Sequence, residues 1–378
     1  AFYSATDADS EGVEGKFFIW SQKEIEAVLS SEEAKLIVAL YGVTAGGNFE
    51  GHSILERVQS NEDWAKANGQ DVDAVEARRV QALSKLYDVR KKRIPPLLDD
   101  KIIVEWNGQM IGAMARAGFA FEAPQYLEAA RHASRFIRDK MMVKGRLQRS
   151  HRGGVSKHTA VVEDYSFLIS GLLDLFEASG ESEWLTFALQ LQPVVDTHFA
   201  DPAGGYYGTA DDAEALLVRE KPLYDGAQPS GNSIATQNLL RLASLTTSAE
   251  FTERAQRSLH AFGAALADGA TECPALAVAL DWSLDRAKEI AVIGPEAGAL
   301  KATLRTTYVP NAVRTVNPQA GAEKLVPWLE GKAAQKGTAT AYVCFEQVCK
   351  RPTQDAKTFS EQLQDVAPLA LGEPAPKR

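Results

Sequence analysis

The sequence predicts a mostly α-helical protein, an (α/α) toroid of paired outer and inner helices, with a small α/β appendage behind it. Amphipathic helices with one charged face are expected over 72–90, 126–141 and 183–198. Helices of a second kind, over 105–121 and 163–179, are rich in small residues or apolar nearly all round, as buried helices are. Because an outer helix alternates with a buried one, a ring of hairpins fits the pattern better than a bundle or a solenoid.

The connections between these helices repeat as well. The segment 2–7 (FYSATD) resembles 206–211 (YYGTAD), and 145–148 (GRLQ) lies at the corresponding place between them. The first residues, 1–20, are expected to form a loop or hairpin. Caps and apolar spacing predict further helices at 21–29, 31–40, 230–245, 251–266 and 274–284.

After Asp285 the pattern changes to short apolar strands around a further helix. The change predicts three segments: a toroid domain over 1–287, a small α/β domain over 288–363 and a tail over 364–378.

Composition limits the class of partner. The chain has 378 residues, a formal net charge of -9, 45% hydrophobic and 24% charged residues, which is ordinary for a soluble globular protein. The acidic balance disfavours a nucleic-acid partner, because such binding usually needs a basic face. No apolar stretch approaches the roughly 18 residues that span a bilayer, so no membrane partner is expected.

The three cysteines favour a reducing, cytoplasmic location over a secreted disulfide framework. Cys344 and Cys349 supply too few ligands for a zinc site. Three roles for the pair stay open: a strand-end disulfide, a free pair and a redox relay. A reduced structural pair is favoured. The acidic loop of Asp7, Asp9 and Glu11 fits a solvated turn better than a cation site. Since the sequence also lacks a nucleotide-binding loop, we predict no metal and no cofactor.

Five motifs, in order along the chain, carry a resemblance to a known family. They are FYSA with DADSEG at 2–12, GNFEG at 47–51, LDDK with WNG at 98–108, DGAQPSGNS at 225–233 and ATAYVC at 339–344. Together they resemble the spermatogenesis-associated, thioredoxin-domain-containing protein family. The resemblance implies an (α/α)6 toroid of the six-hairpin glycosidase and N-acylglucosamine 2-epimerase type, with a small carbohydrate bound in its central funnel. It also implies a thioredoxin-like domain upstream, so we expect that domain and the first helices of the toroid to be missing here.

Candidate site residues lie at the polar ends of the predicted inner helices. Glu163 and Asp164 open the most buried helix, and Asp225 precedes the next one; these are the predicted acid–base groups, because apolar surroundings raise the proton affinity of a carboxyl. The resemblance and the polar chemistry add a set of predicted substrate-binding residues: Asp7, Asp9, Asp99, Asp100, Trp106, Asn107, Tyr165, Ser230 and Asn232.

Structural roles stay open for several of these residues. Asp99, Asp100 and Glu105 fit helix starts as well as a ligand site. Asp164 and Ser230 fit helix caps. The contacts of these side chains therefore decide between a site and a set of caps.

The favoured function is sugar isomerisation or epimerisation, ahead of glycoside hydrolysis, by analogy with the folds that the resemblance implies. A proton transfer next to a carbonyl suits a histidine base, and His151 and His158 lie in an expected polar loop before Glu163; neither belongs to a motif, and a solvent-facing position is favoured for both. The alternative is a non-catalytic scaffold that holds a client for the thioredoxin-like domain, with Cys344 in redox regulation.

Overall fold

The structure is a computed structural model that describes residues 1–366, and it divides the chain into two compact units. The smaller unit is Ser4–Asp100, and the larger joins Ala1–Tyr3 to the chain from Lys101 onward. The predicted boundary between residues 287 and 288 lies inside the larger unit, and that division stays a prediction. Residues 367–378, most of the predicted tail, lie outside the described residues.

The smaller unit is built of short strands and helices around an apolar core that includes Trp20, Ile25 and Leu86. The elements are β1 (Ala5–Thr6), β2 (Asp9–Ser10), β3 (Val13–Glu14), α1 (Gln22–Val28), α2 (Ser31–Leu40), α3 (Asn61–Asn68), α4 (Val72–Arg90) and β4 (Leu98–Asp99). Strand β1 pairs with β4, and β2 with β3 as the hairpin expected at the front. Helix α4 has the predicted bounds, whereas the pattern does not predict α3, a short and mostly polar helix.

The larger unit holds the remaining elements. Its helices are α5 (Val104–Ala120), α6 (Pro124–Phe136, followed by a π-helical turn), α7 (Val162–Ser179), α8 (Ser182–His198), α9 (Gly231–Thr246), α10 (Ala249–Ala261), α11 (Gly263–Gly269), α12 (Pro274–Leu284), α13 (Gly298–Thr306) and α14 (Ala356–Gln364). Its strands are β5 (Ile102–Ile103), β6 (Met142–Val143), β7 (Arg146–Arg152), β8 (Val155–Thr159), β9 (Lys288–Ile293), β10 (Ala312–Val316), β11 (Thr340–Phe345) and β12 (Val348–Cys349).

Helices α5, α7 and α9 lie side by side, and each packs against the helix that follows it, α6, α8 and α10. Helix α12 packs against α9 as the next inner helix. Glycines allow the close approach of α5 and α7: a Cβ on Gly108 would lie 2.5 Å from the carbonyl carbon of Phe167, and one on Gly171 would lie 2.3 Å from the Gly108 carbonyl oxygen. The predicted mostly helical fold, with alternating outer and inner helices, is confirmed.

Asparagines in the first turns of α5 and α9 hold the repeated connections. Asn107 Oδ1 accepts the Phe2 N–H at 2.7 Å, and its Nδ2 donates to the Phe2 carbonyl oxygen at 3.0 Å. Asn232 binds the backbone of Tyr206 in the same way, at 2.7 and 2.9 Å. The repeat seen in the sequence is therefore structural, because the same buried side chain holds the same backbone position.

The segment from β9 to α14 has the predicted α/β character. Strand β10 is parallel to β9, while β11 runs antiparallel to β9 and forms a hairpin with β12. Helices α13 and α14 contribute Leu300 and Phe359 to an apolar cluster with Ile290 and Val343 of the sheet. Among residues 1–366, none of the helices combines the length and the apolar surface that crossing a bilayer requires.

Two local predictions are wrong. The segment with His151 and His158 is a hairpin of β7 and β8, not a loop; Gly153 and Gly154 supply its turn, with φ of 56° and 81°. The helix expected over 251–266 ends at Ala261, and α11 continues from Gly263.

The expectation of a reduced cysteine pair is also wrong. Cys344 and Cys349 form a disulfide between directly opposed positions of β11 and β12, with Cα atoms 3.8 Å apart. The physical reason is the turn between the strands, where Glu346 and Gln347 both have positive φ and form a tight hairpin. A spacing of five residues then places the two sulfurs across from each other.

Candidate active site

The first turns of α5 and α7 meet strand β7 around one guanidinium group. Arg149 on β7 lies 2.9 Å from Asp164 Oδ2 and 3.2 Å from Glu105 Oε2. The Glu105 backbone N–H also donates to Asp164 Oδ1 at 3.1 Å. Both carboxylates are almost fully buried, whereas the Arg149 side chain is 36% exposed. One cation thus compensates two buried negative charges and still reaches solvent.

Asp164 is enclosed by its partners. Its Oδ2 accepts the Val161 N–H at 2.9 Å, which caps the first turn of α7. Burial raises the pKa of Asp164 to about 6; the charge on Glu105 acts in the same direction, and Arg149 and the Val161 N–H oppose it. Because the residue is 0% exposed, it positions Arg149 and the start of α7 and does not itself face a ligand.

Glu163 is the carboxyl group of this cluster that is only partly buried. Burial raises its pKa and the charge on Glu105 adds to the effect, while Arg149 and the backbone N–H groups of Glu163 and Gly231 lower it. A Cβ on Gly231 would lie 3.0 Å from Glu163 Oε1, so the glycine at the start of α9 leaves room for this carboxyl. A carboxyl with a raised pKa and some exposure is suited to proton transfer.

Two amides and an aromatic ring extend the cluster. Gln228 donates a short hydrogen bond to Glu105 Oε1, and its own Oε1 accepts from Gln109 Nε2 at 3.2 Å. Trp106 is 45% exposed. It lies three residues before Gln109 on α5, hence on the same face of the helix. An open ring face therefore lies near hydrogen-bonding amides, a combination suited to a polar ligand with an apolar face.

Asp225 and Ser230 bind backbone groups at the starts of helices. Asp225 Oδ1 accepts the Ser230 N–H and its Oδ2 accepts the Ala275 N–H, each at 2.7 Å. Ser230 Oγ accepts the Ser233 N–H at 3.1 Å as the N-cap of α9. These contacts join the beginnings of α9 and α12 and correspond to the capping alternative for Ser230. The acid–base role of Asp225 stays a prediction, one that its two backbone contacts do not favour.

Three other predicted substrate-binding residues are buried, and their polar groups bind the backbone. The Tyr165 hydroxyl accepts the Leu147 N–H at 3.0 Å, and its residue is 0% exposed. Asn107 and Asn232 use their amides on backbone groups, as described above. These side chains tie the first turns of the inner helices to the neighbouring connections, so direct sugar contact by them stays untested.

The four remaining predicted residues, Asp7, Asp9, Asp99 and Asp100, belong to the smaller unit. Asp7 Oδ1 accepts the Asp9 N–H at 3.3 Å, and Asp99 lies in β4 opposite β1. Trp106 belongs to the larger unit, so the LDDK and WNG motifs are divided between the two. A ligand-binding role for the four acids stays a prediction.

Sequence reasoning misses Arg149, Gln109 and Gln228, and it leaves Glu105 out of the predicted site. Glu105 fits a helix start, and Arg149 lies in a segment expected to be a loop. Gln228 lies within the DGAQPSGNS motif, and its place there is the one signal that could have identified it.

Among residues 1–366, one group of potential metal ligands occurs, formed by His198, Asp211 and Asp212, whose ligand atoms lie within 4.8 Å of one another. Arg146 binds Asp212 through two contacts of 2.5 and 3.1 Å, and His198 Nδ1 lies 2.8 Å from Asp211 Oδ1. Arg146 already compensates the charge on Asp212, so the group forms a cluster of ion pairs.

The paired inner and outer helices define a helical-hairpin protein. The carboxylate–guanidinium cluster at the amino ends of its inner helices is a candidate acid–base site. The chain is 33% identical to spermatogenesis-associated protein 20 of Homo sapiens over 398 residues, covering 94% of this chain and 51% of that protein. An uncharacterized protein of Caenorhabditis elegans is 28% identical, over 95% of this chain and 54% of that protein. The chain is related to spermatogenesis-associated protein 20, and it spans about half the length of the curated relatives it matches. No protein-family model matches it.

Solved structures of helical toroids are also similar. The cellobiose 2-epimerase of Bacillus thermoamylovorans matches 43% of this chain and 44% of its own, with a TM-score of 0.37 and 15% identity. A GH76 α-mannanase of Bacteroides thetaiotaomicron matches 88% of this chain and 93% of its own, with a TM-score of 0.41 and 10% identity.

Proposed function

We propose that the larger unit binds a small carbohydrate at the amino ends of α5, α7 and α9, and that Glu163 is its acid–base group. The observation that carries the proposal is the cluster in which Arg149 bridges buried Glu105 and Asp164 while Glu163 stays partly exposed with a raised pKa. Burial raises the pKa of such a carboxyl toward neutral pH, as acid–base catalysis requires.

The other residues have separate tasks in this proposal. Trp106 offers its exposed ring to the apolar face of a sugar, and Gln109 and Gln228 offer amide groups to its hydroxyls. Asp164 fixes Arg149 and the start of α7, so it is a positioning residue.

Isomerisation or epimerisation of a reducing sugar is the favoured reaction. A glycosidase needs two carboxyl groups that flank the bond to be broken. Here Glu105 and Asp164 are buried against Arg149, which leaves Glu163 as the carboxyl open to a ligand. In an isomerisation, one carboxylate takes the proton from the hydroxyl-bearing carbon beside the carbonyl, which leaves an enediolate. Water moves a proton between the two oxygens, and the same group returns its proton to the former carbonyl carbon; epimerisation would instead need a proton delivered to the opposite face of the first carbon.

Binding is tested by ligand-observed NMR with a panel of reducing sugars and short oligosaccharides. We expect saturation transfer to at least one sugar, and at least a tenfold weaker Kd for Trp106→Ala. Phe121→Ala is the matched control, because Phe121 is 75% exposed and caps the other end of the same helix. The proposal fails if no sugar binds at millimolar concentration or if both variants bind like the wild type.

A second function, a scaffold that works with a thioredoxin-like redox domain, is supported by the disulfide. Cys344 is buried, whereas Cys349 is exposed on β12, so a dithiol reductant has access to the Cys349 sulfur. Attack there by the reductant's thiolate would form a mixed disulfide and release the Cys344 thiolate; the reductant's second thiol would then free Cys349. Equilibration in glutathione buffers, with alkylation of the free thiols, measures the potential. A pair that stays oxidised at the glutathione poise of a reducing compartment would remove this candidate.

A further inference from the structure

At their carboxyl ends, α5, α7 and α9 open onto a cavity of about 820 Å³. Residues of helix α12 and of the loop 307–311, which leads into β10, also line it. Arg116 of this cavity is eleven residues beyond Glu105 on α5, so the two places are about 16 Å apart along the helix. No residue of the candidate active site lines the cavity.

The negative groups on the floor of the cavity already have partners. Arg241 Nη2 donates to Asp174 Oδ1 at 2.8 Å and to Glu177 Oε1 at 2.7 Å. Arg116 binds the same Asp174 through Nε at 2.9 Å and Nη2 at 3.1 Å. A Cβ on Gly112 would lie 2.7 Å from Asp174 Oδ2, so that glycine makes room for the carboxylate. The carboxylates of Asp174 and Glu177 thus already accept hydrogen bonds from arginines of the chain.

On the wall, Asn311 Nδ2 donates to Asp281 Oδ2 at 2.7 Å, which engages the third carboxylate of the cavity. The acidic groups that line it are therefore occupied by neighbours within the described chain.

Hydrogen-bond donors, in contrast, are in surplus. Arg116 is 64% exposed, and Asp174 occupies only its Nε and Nη2. Arg314, stacked over the ring of Phe119, has a buried Nε without a hydrogen-bond partner in the described structure, and its contact with Glu177 is long, at 3.8 Å. A guanidinium has five N–H donors and no acceptor. Both side chains therefore keep N–H groups that a ligand with acceptor atoms could bind.

The rest of the wall is largely apolar. Trp282, Val278, Val309 and Pro310 line it, and Tyr308, which is 87% exposed, lies in the loop at its rim. Apolar walls with a few converging polar groups are typical of small-molecule sites, and the volume is within their range of about 300–1,000 Å³.

We infer that this cavity binds a small organic carboxylate with an apolar or aromatic body, its carboxylate held between Arg116 and Arg314. Arginine is suited to this task because its planar fork matches a carboxylate in two-point contact. The body of the ligand lies against Trp282 and Pro310. This site is independent of the proposed carbohydrate chemistry.

The probe is phenylacetate, compared with its uncharged isostere phenylacetamide by isothermal titration and saturation-transfer NMR. We expect phenylacetate to bind at least tenfold more tightly than the amide, and that preference to be lost in Arg116→Gln and in Arg314→Gln. Arg116 is largely exposed, so its variant keeps the test valid even if Arg314→Gln unfolds.

The matched control is Arg135→Gln, because Arg135 is also partly exposed, paired with a carboxylate and stacked over an aromatic ring, Trp184, away from the cavity. We expect it to bind phenylacetate like the wild type. The inference is overturned if phenylacetate does not bind at millimolar concentration, if the amide binds equally well, or if Arg116→Gln leaves the affinity unchanged.

Discussion

Gly171→Ala tests the packing that places the candidate active site, because Gly171 lies where α7 meets α5. A Cβ at this position would lie 2.3 Å from the Gly108 carbonyl oxygen, 3.2 Å from the Gly108 carbonyl carbon and 3.3 Å from the Gly112 nitrogen. All three atoms belong to the backbone of α5, so no side chain can rotate away. The two helices would have to separate by about 1 Å to restore ordinary contact distances.

The expected magnitude has two parts. Alanine in the middle of a helix is about 1 kcal/mol more favourable than glycine. Overpacking typically costs about 1–3 kcal/mol, and a clash between two backbones belongs at or above the top of that range. We therefore expect the free energy of unfolding to fall by about 2 kcal/mol, measured by urea denaturation followed by far-UV circular dichroism with an unchanged m-value.

Gly298→Ala is the control for this substitution. Gly298 is the first residue of α13, and a Cβ there meets nothing within 4 Å. The control should be neutral or slightly stabilised, since it gains helix propensity without a clash. A Gly171→Ala protein as stable as the wild type would refute the close packing of α5 and α7.

Three further predictions follow from single contacts. Asn232→Leu removes the hydrogen bonds to the Tyr206 backbone and should lower the free energy of unfolding by about 2–4 kcal/mol in urea; an unchanged midpoint would contradict the proposed clamp. Burial raises the pKa of Asp164 from 3.8 to about 6, so its ionisation opposes folding at neutral pH, and lowering the pH from 7 to 5 should recover about 1 kcal/mol. Asp164→Asn should lose that part of the pH dependence of unfolding, and an identical pH profile would contradict the shift. Gly231→Ala should displace the Glu163 carboxyl and weaken sugar binding at least tenfold in NMR titration, with unchanged affinity as the contrary result.

Helical periodicity was sufficient to predict most of the helices. The predicted bounds of α4 and α12 agree with the structure, because each helix is set off by strong local signals, a Pro-Pro pair after α4 and a proline at the start of α12. Helix α3 and the hairpin of β7 and β8 lack such an apolar pattern. The Gly153–Gly154 pair, which suits a tight turn, is the one signal that could have identified that hairpin.

The candidate site was predictable only in part. Glu163 and Asp164 follow from their place at the start of an apolar helix. Arg149 and Gln228 come from segments remote in sequence, and their pairing with Glu105 depends on tertiary packing that no local pattern encodes.

The proton-transfer role of Glu163 is tested most directly by incubating the protein with reducing sugars in heavy water and following the mixtures by NMR. We expect deuterium to appear on the carbon beside the carbonyl with the wild-type protein and with Glu250→Gln, an exposed glutamate on α10. Glu163→Gln, folded by circular dichroism, should incorporate none above the rate without protein. Equal incorporation by Glu163→Gln and the wild type, or none by either at high protein concentration, would contradict the proposed role of Glu163.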